Sequence, residues 1–579
     1  MDRYDTVRAL LLLILLVGAG VRIANLGGSP LWAGEAMWAE TSAELVEQPR
    51  VIPRYLETGR PLTGHPPVYF HLNTLAYIAG DPGEAALRLL SALAGALTGL
   101  IIYLLGRRFY DENTGLMAAA FLAVSSNHVL YSRQVHPTAL GVFLMASSVY
   151  LAVKAAQTGE TKMIGAAAGT ALLAVSTHYM AAVLLLLFPA IFYIEQGWRQ
   201  SLTGERSLLG GYIALVVATS IHGIWNIVNA YPATMLNPVR RSRTSVFQFI
   251  SGLRTEIATV GGGLWRLISF YFSPSFLYLP PLLALVPVTD AGRPSRAWRD
   301  SPDGPAAGSR ILYLWILITA AILTGVVLLY RATGLDPVRS HPFLVIPLLL
   351  LAARGSVLLY RRSQGFGILP VLLLLTYLTH LPAVMGIGVV NPDIGGSMVR
   401  NAMYTVDSVY VAVDTDLDQD QSLQELQYGL VAPNVSVEFS YDVYLPKMFV
   451  ETESIVCTGE YYRPLFCFNR HPVGFNDALD WDNVTAYLDA QIQEGETVYA
   501  SRAGPVRYYS DSPVSVTDLI CNIGHRGCNI SRAVDNDTPF WIVVTADRFA
   551  WQFTSNEKRK LQNSCNKTVL DYVWIFHCR

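Results

Sequence analysis

Residues 86–140 read ALRLLSALAGALTGLIIYLLGRRFYDENTGLMAAAFLAVSSNHVLYSRQVHPTAL. The stretch contains a long apolar run that ends in Arg107 and Arg108, a short polar turn, and a second apolar run. Because a helix needs about 20 apolar residues to cross the hydrocarbon core of a bilayer, the stretch predicts two membrane spans joined by a tight turn. The paired arginines favour the cytoplasmic side for that turn.

Apolar segments of this kind recur before residue 390, and they account for a chain of 579 residues that is 52% hydrophobic and only 15% charged. They predict about eleven spans, at 8–26, 85–105, 114–130, 137–156, 163–177, 179–195, 209–228, 264–288, 311–330, 342–360 and 366–386. The first run is followed by Gly-Gly-Ser-Pro rather than by a small-residue cleavage site, so we expect a retained span and not a signal peptide.

An odd number of spans puts the two termini on opposite sides of the membrane. Basic residues cluster at the flanks predicted to be inside, for example at Arg107, Arg108, Arg361 and Arg362. We therefore expect a multi-pass protein of the cell membrane with a cytoplasmic N-terminus and an extracytoplasmic C-terminal domain. No basic tract interleaved with aromatics occurs, and the net charge is only -2, so nucleic-acid binding is not expected.

The sequence predicts a membrane domain at 1–390 and a small α/β domain at 391–579, because strand-like and helix-like runs alternate in the tail. All of the cysteines lie there, at Cys457, Cys467, Cys521, Cys528, Cys565 and Cys578. All of the N-glycosylation sequons lie there too, at Asn434, Asn483, Asn529, Asn536 and Asn566. Both features favour disulfides and an oxidising compartment, although free cysteines and chance sequons are the alternative.

The first predicted outer loop, at about 27–84, combines Glu35, Glu40 and Glu44 with tryptophans and with GHPPVYFHL at 64–72. A carboxylate at the membrane surface can activate a hydroxyl nucleophile, and a His-Pro-Pro turn can orient a substrate. An amphipathic interfacial helix with a solvated acidic face is the alternative interpretation.

The Trp-x-x-Glu-Ala motif that ends in Glu35 and Ala36, the HPPVYF motif and residues 86–140 together resemble the integral-membrane GT-C glycosyltransferases. The similarity is greatest to the protein O-mannosyltransferase-like and lipid A aminoarabinose transferase-like enzymes. The resemblance implies transfer of a sugar, mannose or another hexose, from a polyprenyl- or dolichyl-phosphate carrier to a protein, glycan or lipid acceptor on the outer face. It implies membrane lipids as further partners and no certain cofactor.

Glu35 matches the second residue of an Asp-Glu pair in this family, and Gly34 stands at the first position. The resemblance therefore makes Glu35 or Glu40 the candidate catalytic base. The candidate ligands of the donor phosphate and sugar are His65, Tyr69, Arg88, Arg133, His136, Arg339 and His341. Among these, Arg133 is the strongest candidate for the phosphate, because its planar fork suits a phosphodiester.

Further readings stay open at this point. Gly34 in place of the aspartate is compatible with a different acceptor, or with a protein that binds lipid-linked sugars, or assists assembly, without catalysis. A transporter or flippase is less favoured, because the ionisable residues concentrate at the ends of the spans. Gln134 stands where the family often has a glutamate. With two carboxylates lost, at Gly34 and Gln134, a divalent cation is only weakly supported and no metal ligand is predicted.

Overall fold

A computed structural model describes residues 3–28, 31, 33–54, 66–80, 82–196, 283–287, 305–329, 342–363, 365, 370–371 and 374 of the predicted membrane domain. In the tail it describes residues 409–413, 437–440, 455–460, 463–469, 481–493, 495–501, 503–510, 515–519, 539–545, 561, 564–570 and 573–578. The predicted boundary at residue 390 lies outside these ranges.

Helices make up most of the described part of the membrane domain. Its α-helices are α1 (Arg3–Ile23), α2 (Ala33–Glu47), α3 (Val68–Asn73), α4 (Glu84–Phe109), α5 (Glu112–Val124), α6 (Ser126–Ser132), α7 (Pro137–Thr158), α8 (Thr161–Val175), α9 (Leu184–Gln196), α10 (Pro305–Leu329) and α11 (Pro342–Arg362). Short 3-10 helices cover Thr74–Ala79 and Tyr179–Val183.

Within the described ranges, four helices are long and apolar enough to cross a membrane: Asp5–Ile23, Glu84–Phe109, Pro137–Thr158 and Phe343–Arg362. Shorter apolar helices cover Glu112–Val124, Thr161–Val175, Tyr179–Glu195 and Ala307–Ile322. Together they coincide with eight of the predicted spans. The predicted spans 209–228, 264–288 and 366–386 lie wholly or almost wholly outside the described residues, so the total number stays a prediction.

Capping residues define the ends of these helices, and glycines allow two of the helices to pack closely. The Asp111 carboxylate accepts the Thr114 N–H at 2.8 Å and caps the N-terminus of α5. Gly159, at φ +70°, ends α7 in the left-handed conformation. A Cβ on Gly106 would lie 2.7 Å from the Gly115 Cα, so α4 and α5 touch through glycine.

The Asp111 end of the bundle is rich in arginine. Asp111 pairs with Arg361 at 2.9 Å and with Arg354 at 3.3 Å, and Arg354 also lies over the Tyr110 ring at 5.0 Å. Arg107 contacts Glu112 at the same turn. These contacts bring together two of the flanks that the sequence predicts to be cytoplasmic, on either side of one acidic residue.

The tail contains two sheets and two helices in its described part. Its elements are β1 (Val409–Val413), β2 (Val437–Ser440), β3 (Ile455–Glu460), β4 (Arg463–Asn469), α12 (Trp481–Gln491), β5 (Thr497–Ala500), α13 (Ala503–Tyr509), β6 (Ser515–Asp518), β7 (Phe540–Thr545), β8 (Cys565–Leu570) and β9 (Val573–Cys578). The antiparallel sheet has the order β2-β1-β3-β4. The second sheet has the order β6-β5-β7-β9-β8, with β5 parallel to both of its neighbours.

The strand-like and helix-like runs of the tail therefore form strands and a helix as predicted, with one refinement. The run TVLDYVWIF is not one strand, because it ends β8 and begins β9 of an antiparallel hairpin. A disulfide joins Cys565 to Cys578, two of the candidate cysteines, across this hairpin. Cys457 and Cys467 are register partners in β3 and β4, whereas Cys521 and Cys528 lie outside the described residues.

Two of the sequons lie in the described part of the tail. Asn483 in the first turn of α12 and Asn566 in β8 are both exposed, as an attached glycan requires. Asn434, Asn529 and Asn536 lie outside the described residues.

Candidate functional site

Glu35 and Arg88 form a buried ion pair where the first loop meets the bundle. Glu35 lies in the first turn of α2 and Arg88 in the second turn of α4. The Arg88 Nε donates to Glu35 Oε1 at 2.9 Å, and a terminal guanidinium nitrogen donates to Oε2 at 2.8 Å. Both residues are almost inaccessible to solvent, at 2% and 3% exposure. The geometry is the two-pronged arrangement in which an arginine binds a carboxylate most strongly.

Two backbone groups complete this pair. The Val135 N–H donates to Glu35 Oε1 at 2.7 Å, and the Leu26 carbonyl accepts from Arg88 at 2.9 Å. The pair thus joins the segment after α1, the start of α2, the start of α4 and the loop before α7. Among the described residues, Glu35 accepts hydrogen bonds from two guanidinium nitrogens of Arg88 and from the Val135 N–H, so these neighbours fix the position of its carboxylate. The geometry by itself supports a positioning role for Glu35.

An aromatic cluster lies beside the ion pair. Trp38 stacks on Phe70 with ring centroids 4.7 Å apart, meets Tyr69 edge-on at 5.8 Å and contacts the His136 ring at 5.2 Å. The Tyr69 hydroxyl lies 2.9 Å from Ser91 Oγ, which donates to the His136 carbonyl at 3.1 Å. Tyr69 and His136, which the sequence assigns to donor binding, are therefore brought together.

His136 is the N-cap of α7. Its Nδ1 accepts the Thr138 N–H at 3.3 Å and lies 2.7 Å from the Thr138 hydroxyl. Because Nδ1 accepts a hydrogen bond, the neutral ring carries its proton on Nε2. His136 is buried, and its N-cap bonds to the start of α7 fix the position of its ring.

Arg133 lies at the end of α6 and caps the C-terminus of α1. One guanidinium nitrogen donates to the carbonyls of Val21, Arg22 and Ala24, at 3.1, 3.1 and 2.6 Å, and the other donates to Asn25 at 3.1 Å. Burial, with the Arg88 charge as a smaller cause, lowers the pKa of Arg133 to about 10, so it stays protonated at neutral pH. The structure thus gives Arg133 a helix-capping role, and its role as a phosphate ligand stays a prediction.

Glu40, the second candidate base, faces the tail. Its carboxylate pairs with Arg507 of α13, from Oε1 to Nε at 3.3 Å and from Oε2 to a terminal nitrogen at 3.4 Å. Sequence reasoning missed this partner, which lies 467 positions away along the chain. The first loop and the tail therefore lie on the same face of the bundle, as the predicted topology requires.

Two amide side chains in this region lack partners among the described residues. Both polar atoms of Asn73, at the end of α3, and both polar atoms of Gln134, next to Val135, are buried and form no hydrogen bond there. Their exposures are 1% and 2%. A buried amide without a partner costs free energy, so such groups mark places where a polar ligand would be stabilised.

The remaining candidates lie outside the described residues: His65, Arg339 and His341. Within the described ranges, no three histidine, cysteine or acidic side chains lie close enough together to hold a metal ion. Sequence reasoning missed Ser91, the Val135 N–H and Tyr509, whose hydroxyl reaches the first loop. No local pattern marks them, because each acts through a contact that only the tertiary fold creates.

Residues 64–225 match the family described as dolichyl-phosphate-mannose-protein mannosyltransferase. This segment contains Tyr69, Arg88, Arg133 and His136. The chain is also 28% identical, over 143 residues, to an uncharacterized protein of Aquifex aeolicus (strain VF5). That alignment covers 24% of this chain and only 28% of the relative's length.

Crystal structures of ArnT from Cupriavidus metallidurans share the fold over nearly the whole chain. The structure bound to undecaprenyl phosphate has a TM-score of 0.53 at 15% identity, covering 98% of this chain and 97% of ArnT. The apo structure has a TM-score of 0.54 at 13% identity, covering 100% and 98%. The GT-C membrane fold expected from the motifs is thereby confirmed: the chain shares the fold of ArnT, and residues 64–225 are similar to the protein mannosyltransferases.

Proposed function

We propose that this protein transfers a sugar from a polyprenyl-phosphate carrier to an acceptor on the outer face of the membrane. The observation that carries the proposal is the match of residues 64–225 to the mannosyltransferase family, since this segment supplies Tyr69, Arg88, Arg133 and His136 to one buried region. The ArnT structure bound to undecaprenyl phosphate supports the same carrier chemistry. Mannose or another hexose is the proposed sugar, and a protein, glycan or lipid is the proposed acceptor.

In the proposed reaction, an acceptor hydroxyl oxygen forms a bond to the anomeric carbon while the bond from that carbon to the carrier phosphate breaks. The bonding electrons leave with the phosphate, and the hydroxyl proton passes to a base. The carrier phosphate is a good leaving group, so nearby positive charge serves it better than an acid does. Arg88 and Arg133, the buried arginines described within the matched segment, are the proposed source of this charge.

Glu35 is the proposed base for the acceptor hydroxyl, and whether it can accept the proton depends on Arg88. If Arg88 turns toward the carrier phosphate, it releases a Glu35 oxygen that can then accept the hydroxyl proton. One movement would thereby place positive charge at the leaving group and free a base. If Arg88 holds its place, Glu35 acts by fixing the position of Arg88.

A non-catalytic protein that binds lipid-linked sugars is the second candidate. The observation in its favour is that Arg88 and the Val135 N–H already hold the Glu35 carboxylate, while Gly34 provides no second carboxylate beside it. Binding alone needs buried polar contacts and cations, and the site contains both.

A donor panel separates the two candidates. Purified protein in liposomes is supplied with radiolabelled polyprenyl-phosphate sugars and with a membrane extract that contains acceptors. Release of the carrier phosphate with transfer of label to an acceptor is the expected result. Saturable binding of a sugar-bearing carrier without release of label contradicts transfer and supports the binding protein.

A further inference from the structure

Helix α13 of the tail contacts the first loop through Arg507, Tyr508 and Tyr509, and we call this set of contacts the latch. Arg507 is anchored in its own domain by a hydrogen bond of 3.2 Å to the Val516 carbonyl in β6. The same guanidinium reaches across to both carboxylate oxygens of Glu40 in α2. One side chain therefore connects β6, the edge strand of the tail sheet, to α2, the helix that carries Glu35 in its first turn.

Tyr509 makes a second connection, to the segments that precede Glu35 and Arg88. The Tyr509 hydroxyl accepts the Leu31 N–H at 2.5 Å and donates to Glu84 Oε1 at 3.1 Å. Leu31 lies four positions before Glu35, and Glu84 lies four positions before Arg88. The Tyr509 hydroxyl is thus hydrogen-bonded to the residue four positions before Glu35 and to the residue four positions before Arg88.

The latch is buried as well as hydrogen-bonded. Tyr508 and Tyr509 pack against the apolar cluster of the first loop, which includes Leu31, Trp38 and Tyr69. The Tyr508 hydroxyl also donates to the Pro82 carbonyl at 3.3 Å. Burial raises the pKa of Tyr509 well above its ordinary value, so its hydroxyl keeps the proton that it donates to Glu84.

We propose that Arg507 and Tyr509 are positioning residues that hold α2 and the start of α4 in the geometry that pairs Glu35 with Arg88. The tail then contributes to the site without touching the substrate. Glu40 accordingly serves as the docking partner of Arg507. The effect on transfer rests on the proposed function, whereas the latch itself is a structural relationship that can be measured without any donor.

Hydrogen exchange on the intact protein in nanodiscs tests the latch. Arg507→Met and Tyr509→Phe should each raise the exchange rates of amides in 33–47 at least tenfold, while amides in β5 and β7 keep their protection. Tyr487→Phe is the matched control, because its hydroxyl contacts Thr568 within the tail. Arg507→Glu combined with Glu40→Arg should restore protection of α2, since the pair is re-formed with reversed charges.

Transfer kinetics test the positioning role. In the two latch variants we expect kcat to fall about tenfold with little change in the donor KM, because a looser pair affects the reacting geometry more than carrier binding. Unchanged exchange in 33–47 overturns the latch. Raised exchange with unchanged kcat overturns positioning. A wild-type protein that transfers no sugar overturns the proposed function, and the exchange data still decide whether the latch exists.

Discussion

Glu35 and Arg88, 53 positions apart in the chain, form a two-pronged ion pair with N–O distances of 2.8 and 2.9 Å. The pair is buried where the first loop meets the helix bundle. A buried charge of either sign is stable there only with its partner, because desolvation of a single ion costs more than most other contacts can supply. The pair therefore determines how α2 sits on α4, and Trp38, Tyr69 and His136 are arranged beside it.

This relationship predicts a strongly non-additive double-mutant cycle. Glu35→Gln or Arg88→Met alone should lower the free energy of unfolding by about 3–5 kcal/mol, because each leaves an unpaired buried charge. The double variant should lose less than either single variant, since no buried charge is left. Unfolding of the four proteins in mild detergent, followed by circular dichroism, gives the values. Additive losses would show that the two side chains do not depend on each other.

Arg133 should behave mainly as a helix cap. Arg133→Met removes four hydrogen bonds to the end of α1, and we expect a loss of about 2–3 kcal/mol in unfolding free energy, since bonds from charged donors are among the stronger ones. Arg133→Lys should recover part of this, because the charge at the helix C-terminus is kept. Arg8→Met, at an exposed position of α1, is the control.

A stable Arg133→Met protein with weakened donor binding would contradict the capping account. That result would instead support the prediction from sequence that Arg133 binds the carrier phosphate.

The two buried amides should distinguish a sugar-bearing carrier from a bare one. Gln134→Leu and Asn73→Leu remove groups that have no partner among the described residues, so neither should lower the thermal stability. Each should reduce the preference for polyprenyl-phosphate hexose over polyprenyl phosphate about tenfold or more, because a buried hydrogen bond to a sugar hydroxyl is lost. Competition binding with a labelled carrier measures the preference. An unchanged preference, or a marked loss of stability, would assign these amides a structural role.

The tail should lose stability in acid through Glu496. Burial raises the pKa of this carboxyl, but hydrogen bonds from the Gln493 N–H, the Trp541 indole and His577 outweigh it and leave the pKa below its ordinary value of 4.5. A carboxyl with a lowered pKa stabilises the fold above its unfolded pKa, and this contribution fades as the pH falls through the folded value. Protection of amides in β7 should therefore drop below about pH 4.5 in the wild type.

Glu496→Gln is the comparison for that measurement. The variant should start with lower protection at neutral pH, because the charge-assisted bonds to Trp541 and His577 are weakened. Its protection should then change less between neutral and acid pH. If amide protection in β7 falls equally in both proteins on acidification, a group other than Glu496 is responsible for the loss.

Local patterns in the sequence predicted much of the fold. Hydropathy located the described apolar helices, and Arg107 and Arg361, from two of the predicted flanks, lie at one end of the bundle beside Asp111 and Glu112. Arg354, which also contacts Asp111, was not predicted, since it lies within a predicted span. The strand-like runs of the tail became strands, because alternation and β-branched content act over a few residues. The division of TVLDYVWIF between β8 and β9 was missed, because its strand-like composition continues through the whole run.

The site was predicted less completely, because its chemistry depends on contacts between distant segments. The sequence indicated Glu35, Arg88, Arg133 and His136 as functional residues, but it could not show that Arg88 is held by Glu35 or that Arg133 is held by the carbonyls of α1. Hydropathy and motif spacing carry no information on which buried charges pair. Arg507 was not predicted for the same reason, because no pattern in the sequence around it indicates a contact with the first loop.

The most direct test of the central claim is a transfer assay with radiolabelled polyprenyl-phosphate hexose on wild-type protein, Glu35→Gln and the control Glu47→Gln in the same liposomes. Glu47 lies exposed at the end of α2, so its change leaves the pair intact. We predict transfer by the wild type and by Glu47→Gln, and at least about 100-fold slower transfer by a folded Glu35→Gln protein, the loss expected for an acid–base group or its anchor. Transfer by Glu35→Gln at the wild-type rate would contradict the account.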